Sequence, residues 1–174
     1  MGIILSSFVG CGREFIKNTH GDKVKIFDAV KDVQVDENNE DSLDSYFNVV
    51  MSQVNDNDIV FIGFSEKIRN KFNENNIDYD VFYPDKDRRR EFIENQVRKR
   101  AKPNDIRDID KNFEKWVDDI ENDESPNCYK HKLVNQGEFI GNNAIIMQYI
   151  NSLKPKQQEV NTNNEATQNI ENNE

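Results

Sequence analysis

Cysteine, proline, glycine and long apolar runs are all scarce in this sequence, and each scarcity excludes a class of protein. Two cysteines in 174 residues are too few for a disulfide framework, which favours a reducing, cytoplasmic setting. No apolar run approaches the roughly 20 residues of a membrane span, so no membrane helix is expected. The short apolar stretch at the N-terminus has no basic segment before it, so we expect no signal peptide.

Apolar residues in general are also few, at 35% of the chain, so part of the chain is not expected to fold. The segment with the fewest is residues 154–174, where only Val160, Ala166 and Ile170 are apolar. We therefore predict one folded domain over residues 1–153, followed by a disordered, acidic, Asn-rich tail over residues 154–174. The formal net charge of −10 argues against a general nucleic-acid or anionic-membrane binder.

Two hydrophobic periods alternate along the predicted domain. Short apolar or β-branched runs predict five strands, at residues 3–5, 24–27, 58–62, 79–83 and 129–134. Apolar residues at spacings of three and four predict helices between and after the strands, most clearly over residues 43–54, 92–97, 106–120 and 140–153. This alternation predicts an α/β protein with about five mostly parallel strands and helices on both faces. Ligands of such sheets bind beyond the carboxyl ends of the strands.

A glycine-containing turn follows the first predicted strand and opens the first predicted helix. Residues 7–14 read SFVGCGRE, and the phosphate-binding pattern G-x-x-x-x-G-K-[ST] places Ser7, Gly12, Arg13 and Glu14 at its four defined positions. Gly10 and Gly12 fit such a loop and Arg13 keeps the cation, but Ser7 stands at the first glycine and Glu14 at the Mg²⁺-binding hydroxyl. Such a loop would bind nucleotide phosphates through Gly10, Cys11, Gly12, Arg13 and Glu14. The alternative is an ordinary β–α turn, in which Cys11 fills a small position rather than acting as a reactive thiol.

Several further segments resemble those of a known family and occur in the same order. They read FVGCGR at residues 8–13, KIFD at 25–28, DIVFIGFS at 58–65, FYPD at 82–85 and NFEKWV at 112–117. The chain is similar to small virus- and phage-type P-loop proteins related to the nucleoside monophosphate kinases, over roughly residues 3–122. The resemblance implies a three-layer P-loop NTPase fold, with ATP and Mg²⁺ as cofactors and phosphoryl transfer to a nucleotide or nucleotide-like acceptor.

The differences from that family fall on residues with a chemical role. Arg13 replaces a lysine, and Glu14 replaces the Ser or Thr whose hydroxyl ligates Mg²⁺, so Glu14 is either a direct metal ligand or a source of repulsion toward phosphate. An alternative function therefore stays open: a catalytically decayed pseudokinase that acts as a protein-interaction module.

Two residues near the ends of later strands are also candidates. By resemblance, Asp28 serves the acceptor or the Mg²⁺ shell, which makes it a catalytic residue and a metal ligand beside Glu14. The other interpretation of Asp28 is a cap of the next turn. Ser65 either contacts a phosphate, as part of the nucleotide site, or caps the helix that begins at Glu66.

A basic segment covers residues 86–102. It holds eight cations and three acids, a net charge of +5, which leaves −15 for the rest of the chain. By resemblance, the segment over about residues 86–105 is a helical lid, with Arg98 and Arg100 as catalytic residues beside Arg13 and Asp28. In that family a lid arginine also falls near Asn95. The alternatives are a solvated, ion-paired helix face, or a local patch for nucleic acid or an acidic protein partner.

Overall fold

A five-stranded, all-parallel sheet forms the centre of the molecule in the computed structural model, which describes residues 1–153. The predicted tail at residues 154–174 lies outside the described residues. The strands are β1 (Ile3–Ser7), β2 (Ile26–Asp28), β3 (Ile59–Ile62), β4 (Tyr79–Pro84) and β5 (Cys128–Leu133). Their spatial order is β2-β3-β1-β4-β5. The prediction of an α/β protein with a parallel sheet is therefore confirmed.

The strand sequences explain where each strand lies in the sheet. All four residues of β3 are buried, and their side chains are Ile, Val, Phe and Ile, as a strand covered on both faces requires. β5 lies at an edge, and its Lys130 and Lys132 are among the charges with which edge strands resist further pairing.

Within residues 1–153, seven α-helices connect and cover the strands. They are α1 (Arg13–His20), α2 (Ala29–Asp32), α3 (Glu40–Gln53), α4 (Glu66–Glu74), α5 (Arg89–Arg98), α6 (Pro103–Glu121) and α7 (Ala144–Ser152). The final helical segment, expected over residues 140–153, is divided into a 3-10 turn at Ile140–Asn142 and α7. None of the helices within residues 1–153 has both the length and the apolarity needed to cross a membrane.

The crossovers place the helices on both faces of the sheet. The connection from β1 to β2 runs toward one edge, whereas the other three connections run toward the opposite edge. Because crossovers between parallel strands are right-handed, α1 lies on one face and the later crossover helices lie on the other. The strand order differs from the two common doubly wound orders, 3-2-1-4-5-6 and 2-1-3-4-5.

The crossover connections change direction across the sheet beside β1, at the centre of the sheet. The connection leaving β1 and the connection leaving β4 diverge, which opens a crevice at the carboxyl ends of these neighbouring strands. The glycine turn after β1 lies at this crevice. The fold therefore places the turn singled out in the sequence at the position where such sheets bind ligands.

An aromatic cluster fixes the start of the glycine turn to the core. The Phe8 ring lies 5.0 Å from the Phe64 ring, 5.1 Å from Phe113, 6.1 Å from Trp116 and 6.2 Å from Phe92, measured between centroids. These rings come from α5, α6 and the segment after β3. Phe8 is 1% exposed, so movement of the turn at this residue would disturb its packing against α5, α6 and the segment after β3.

Candidate functional site

The glycine turn has a defined backbone conformation. The Phe8 amide donates to the Phe82 carbonyl at 2.9 Å, and the Cys11 amide donates to the Phe8 carbonyl at 3.1 Å, which closes the turn. Gly10 has φ +84° and Gly12 has φ +101°, a region that side chains with a Cβ rarely adopt. The two glycines are therefore required by the backbone itself, whatever the turn binds.

Several backbone amides of the turn and of the first turn of α1 have no hydrogen-bond partner among the described residues. Within residues 1–153, no acceptor is hydrogen-bonded to the amides of Gly10, Gly12, Arg13 and Glu14. The amides that begin a helix have no intrahelical acceptor, and the helix dipole adds partial positive charge to them. The arrangement is suited to an anion.

Arg13 and Asp28, both candidate site residues, form an ion pair. Arg13 Nη1 lies 3.0 Å from Asp28 Oδ1, and Lys17 Nζ lies 4.0 Å from Asp28 Oδ2. Asp28 is 2% exposed at the end of β2, and its side chain makes no capping bond to α2. The capping interpretation of Asp28 is therefore wrong. Its carboxylate instead pairs with two cations of α1.

Cys11 lies in the turn but faces the interior. Its thiol is directed at the Phe82 carbonyl, with sulfur and oxygen 3.7 Å apart, and its own carbonyl accepts from the Ile140 amide at 2.9 Å. Burial raises the pKa of the Cys11 thiol well above its ordinary value. The thiol therefore serves packing, and the backbone amide and carbonyl of Cys11 are both already hydrogen-bonded within the fold.

Glu14 has an exposed side chain at the start of α1. Among the described residues, no group of three or more His, Cys, Asp or Glu side chains is placed to hold a metal ion. Mg²⁺ is commonly held by one or two carboxylates together with substrate phosphates. Within the described residues, Glu14 and Asp28 therefore form no metal site by themselves, and substrate phosphates would have to supply further ligands.

Ser65 caps a helix. It precedes α4, and its hydroxyl accepts from the Ile68 amide at 3.4 Å. Of the two roles considered for Ser65, the capping role is the one formed, although the residue also lies beside a cavity described below.

The basic segment divides into two parts with different surroundings. Its first cations are paired with acids: Lys86 with Asp118, Arg88 with Glu91, Arg89 with Asp110 and Glu114, and Arg90 with Glu94. The later cations are exposed and form no ion pair with any residue of the described chain; they are Arg98, Lys99, Arg100 and Lys102. The ion-paired interpretation thus applies to the first half of the segment only.

A cleft of about 300 Å³ lies beside the glycine turn. Its lining comes from the turn, α1, α5 and the segment after β5, and consists of Gly10, Gly12, Phe15, Asn95, Lys99, Phe139 and Asn142. Arg98 and Arg100 are not part of the lining, whereas Lys99 between them is. Two aromatic side chains and one ammonium group therefore accompany the unpartnered amides.

A second cavity, of about 350 Å³, lies beyond β2 and β3. Its lining is mostly apolar and includes Val30, Phe64, Ser65 and Trp116, with Glu37 as its one charged side chain. Burial raises the pKa of Tyr46, another lining residue, to about 12; the nearby charges of Arg13 and Asp28 act on the same phenol. Asp28, the partner of Arg13, directly precedes Ala29, which also lines this cavity.

Neither a protein-family model nor a curated protein matches this chain. The class that fold and site define is an α/β protein with a central parallel sheet and a glycine turn at its carboxyl edge. Phe15, Phe139 and Gln96 lie at the turn or its cleft but were not among the site residues predicted from the sequence. The sequence does place Gln96 on one helix face with Phe92 and Lys99, because the three residues are spaced by four and three positions.

Proposed function

We propose that this chain is a P-loop nucleotide-binding protein that holds the phosphates of a nucleotide at residues 10–14. The observation that carries the proposal is the set of unpartnered amides at the start of α1, which open beside a cleft containing Lys99. Anions bind at such helix starts because the amide donors and the helix dipole act together. The cleft has room for more than phosphate, and Phe15 and Phe139 give it apolar surface for a base.

The corresponding activity is phosphoryl transfer from ATP to a nucleotide or nucleotide-like acceptor. The loop amides would bind and orient the donor phosphates, with Arg13 adding a positive charge beside them. The second cavity would seat the acceptor next to Asp28, with its ring on Trp116 and Phe64. Asp28 and Glu14 would hold Mg²⁺, which when bound neutralises charge on the phosphates.

A second candidate is the decayed pseudokinase that acts as an interaction module. The observation that favours it is the bond between Arg13 and Asp28, which occupies the cation expected to face the phosphates. Breaking that pair would leave the buried Asp28 carboxylate with Lys17 alone, and such exchanges cost free energy. The exposed carboxylate of Glu14 adds repulsion toward an anion.

Calorimetric titration with ATP and Mg²⁺ distinguishes the two candidates. For a nucleotide-binding loop we expect the wild type to bind and Arg13→Ala to weaken binding roughly 10-fold or more, since a hydrogen bond to a charged group contributes about 1.5–3 kcal/mol. Arg90→Ala is the matched control, because Arg90 is an exposed arginine whose ion pair within residues 1–153 is with Glu94. The melting temperature of each variant checks that the fold is intact.

The double variant Arg13→Lys/Glu14→Ser restores the pattern residues that this chain lacks. If the wild type binds no ATP and the double variant does, the loop is a decayed one and the interaction-module candidate is supported. If neither protein binds ATP, the P-loop proposal is wrong. A phosphotransfer screen over nucleoside and nucleotide acceptors then tests the activity of a wild type that binds.

A further inference from the structure

One face of α5 lies directly on the glycine turn. The side-chain Nε2 of Gln96 lies 2.6 Å from the position that a Cβ on Gly10 would occupy, and a Phe92 ring carbon lies 3.4 Å from the same position. Lys99, one turn after Gln96 on the same face, lines the cleft together with Gly10 and Gly12. This face of α5 thus reaches the turn, whereas Arg98 and Arg100 are not among the residues that line the cleft.

The Gln96 carboxamide has no hydrogen-bond partner among the described residues. Gln96 is 8% exposed, and no residue within the described range accepts or donates a hydrogen bond at its carboxamide. Its N–H groups are therefore available to an acceptor that enters beside Gly10. The amides of the neighbouring Gly10 and of Gly12 are donors without a partner within residues 1–153 as well. A ligand with several acceptor oxygens would satisfy all of these groups at once.

We propose that Gln96 and Lys99 complete the anion site from the α5 side, and that the ligand they select is a chain of at least two phosphoryl groups. This inference rests on the proposed nucleotide binding and specifies its ligand class. The loop amides at the start of α1 bind one phosphoryl group, and the Gln96 N–H groups with the Lys99 ammonium bind the next. Donors from two separate elements favour di- and triphosphates over monophosphates.

Calorimetry with ATP, ADP, AMP and adenosine tests the assignment. Gln96→Met keeps the length of the side chain but removes its donors, and Lys99→Met removes the ammonium. We expect each variant to raise the Kd for ATP and ADP about tenfold, to change the Kd for AMP by much less and to leave adenosine unchanged. Lys102→Met is the matched control, since Lys102 has the same charge, is exposed and lies outside the cleft lining. Its Kd for ATP should stay within about twofold of the wild type.

Gln96→Glu provides a second test through the pH dependence of the Kd for ADP, which would not change if Gln96 had only a structural role. At neutral pH its carboxylate would repel the phosphates, so the Kd for ADP should rise more than in Gln96→Met. As the pH falls through the pKa of the new carboxyl, the group becomes a neutral donor, and the Kd should approach that of the wild type at the same pH. Circular dichroism at each pH confirms that the variant is folded.

The outcomes separate this inference from the proposed function. If the wild type binds ATP and both Met variants bind it equally well, Gln96 and Lys99 have no role and nucleotide binding stands. A larger effect from Arg98→Ala or Arg100→Ala would assign the second phosphoryl group to the arginines and overturn the inference. If the wild type binds neither ATP nor ADP, both proposals are wrong.

Discussion

At the scale of single residues, the pair formed by Arg13 and Asp28 has the clearest consequence for the site. A guanidinium group is a broad planar fork and reaches a carboxylate with directed hydrogen bonds, whereas an ammonium is a compact charge. In this chain the fork is directed at Asp28, at 3.0 Å. The phosphate-binding capacity of the turn therefore depends on backbone amides to a greater degree than the pattern G-x-x-x-x-G-K-[ST] suggests.

The residues that could be foreseen are those with a local signature. Gly10 and Gly12 stand out because a cation and a predicted helix follow them directly. The spacing of Gln96 from Phe92 and Lys99 places it on their helix face, but a glutamine in a charged helix resembles any solvated residue, so this spacing does not indicate burial. Its burial depends on the packing of α5 against the turn after β1, more than 80 residues earlier in the chain. Contacts of that range cannot be read from one segment alone.

Alanine at Gly10 tests whether α5 packs tightly on the turn. We expect Gly10→Ala to lower the free energy of unfolding by more than Gly137→Ala does. Both residues have positive φ, but a Cβ would clash with the Gln96 side chain at Gly10 and meet no atom within 4 Å at Gly137. The shared backbone strain costs roughly 1–2 kcal/mol. Urea unfolding followed by the fluorescence of Trp116 measures both variants. Equal losses would mean that Gln96 moves aside freely and that α5 is loosely packed here.

At the scale of elements, α5 combines two environments. Its beginning is fixed by Arg88, which is 5% exposed and donates to Glu91, to the Leu133 carbonyl at 3.2 Å and to the Glu138 carbonyl at 2.8 Å. Its end carries the exposed cations beside the cleft. From the sequence, three roles were open for the basic segment at residues 86–102. Nothing in the segment itself indicates which of its cations are ion-paired. The division arises because α6 supplies acids only along the first half.

Element existence was more predictable than element boundaries. All five strands were expected, and the observed bounds differ by one or two residues, as for the predicted strand at 24–27 and β2 at Ile26–Asp28. The four-residue helix α2 was not expected, because it has too few residues to show a helical period.

Acid pH should weaken the attachment of α5 through Glu91. Hydrogen bonds from Arg88 hold the pKa of Glu91 below its ordinary value, helped by a bond from the Gly137 amide. A depressed carboxyl pKa contributes stability that is present above the unfolded pKa, about 4.3, and is lost as the pH falls through the folded value. We expect wild type to be more stable than Glu91→Gln at pH 7, with the difference narrowing below about pH 4.

The measurement is urea unfolding of both proteins from pH 7 to pH 3. Glu94→Gln is the control, since Glu94 is a half-exposed partner of Arg90 on the same helix. Its stability difference from wild type should be small at every pH, because exposed i,i+4 pairs contribute roughly 0.3–0.5 kcal/mol. A constant difference between wild type and Glu91→Gln down to pH 3 would contradict the role assigned to the Arg88–Glu91 pair.

At the scale of the whole molecule, the strand order is the feature that organises the site. The sequence pattern predicted alternating strands and helices but contained no information on which strands are neighbours. The order β2-β3-β1-β4-β5 depends on pairings such as Ile3 with Ile59 and Leu5 with Asp80, which are far apart in the chain. Because β1 lies at the centre, the turn that follows it opens at the middle of the sheet, with α5 on one side and the second cavity near Asp28.

Hydrogen exchange should divide the molecule between this central sheet and the end of α5. Amides of β1 and β3 bond to neighbouring strands on both sides, so we expect them to exchange only through global unfolding, with free energies equal to that from urea unfolding. The last turn of α5, with exposed Val97 and Arg98, should exchange through local opening at a lower free energy. ATP at saturating concentration should slow exchange in this turn and at Gly10 and Gly12 more than at the edge strand β5. Equal slowing across the whole described domain would instead indicate that ATP stabilises the fold without contacting α5, and it would contradict the placement of the phosphate chain between α5 and the glycine turn.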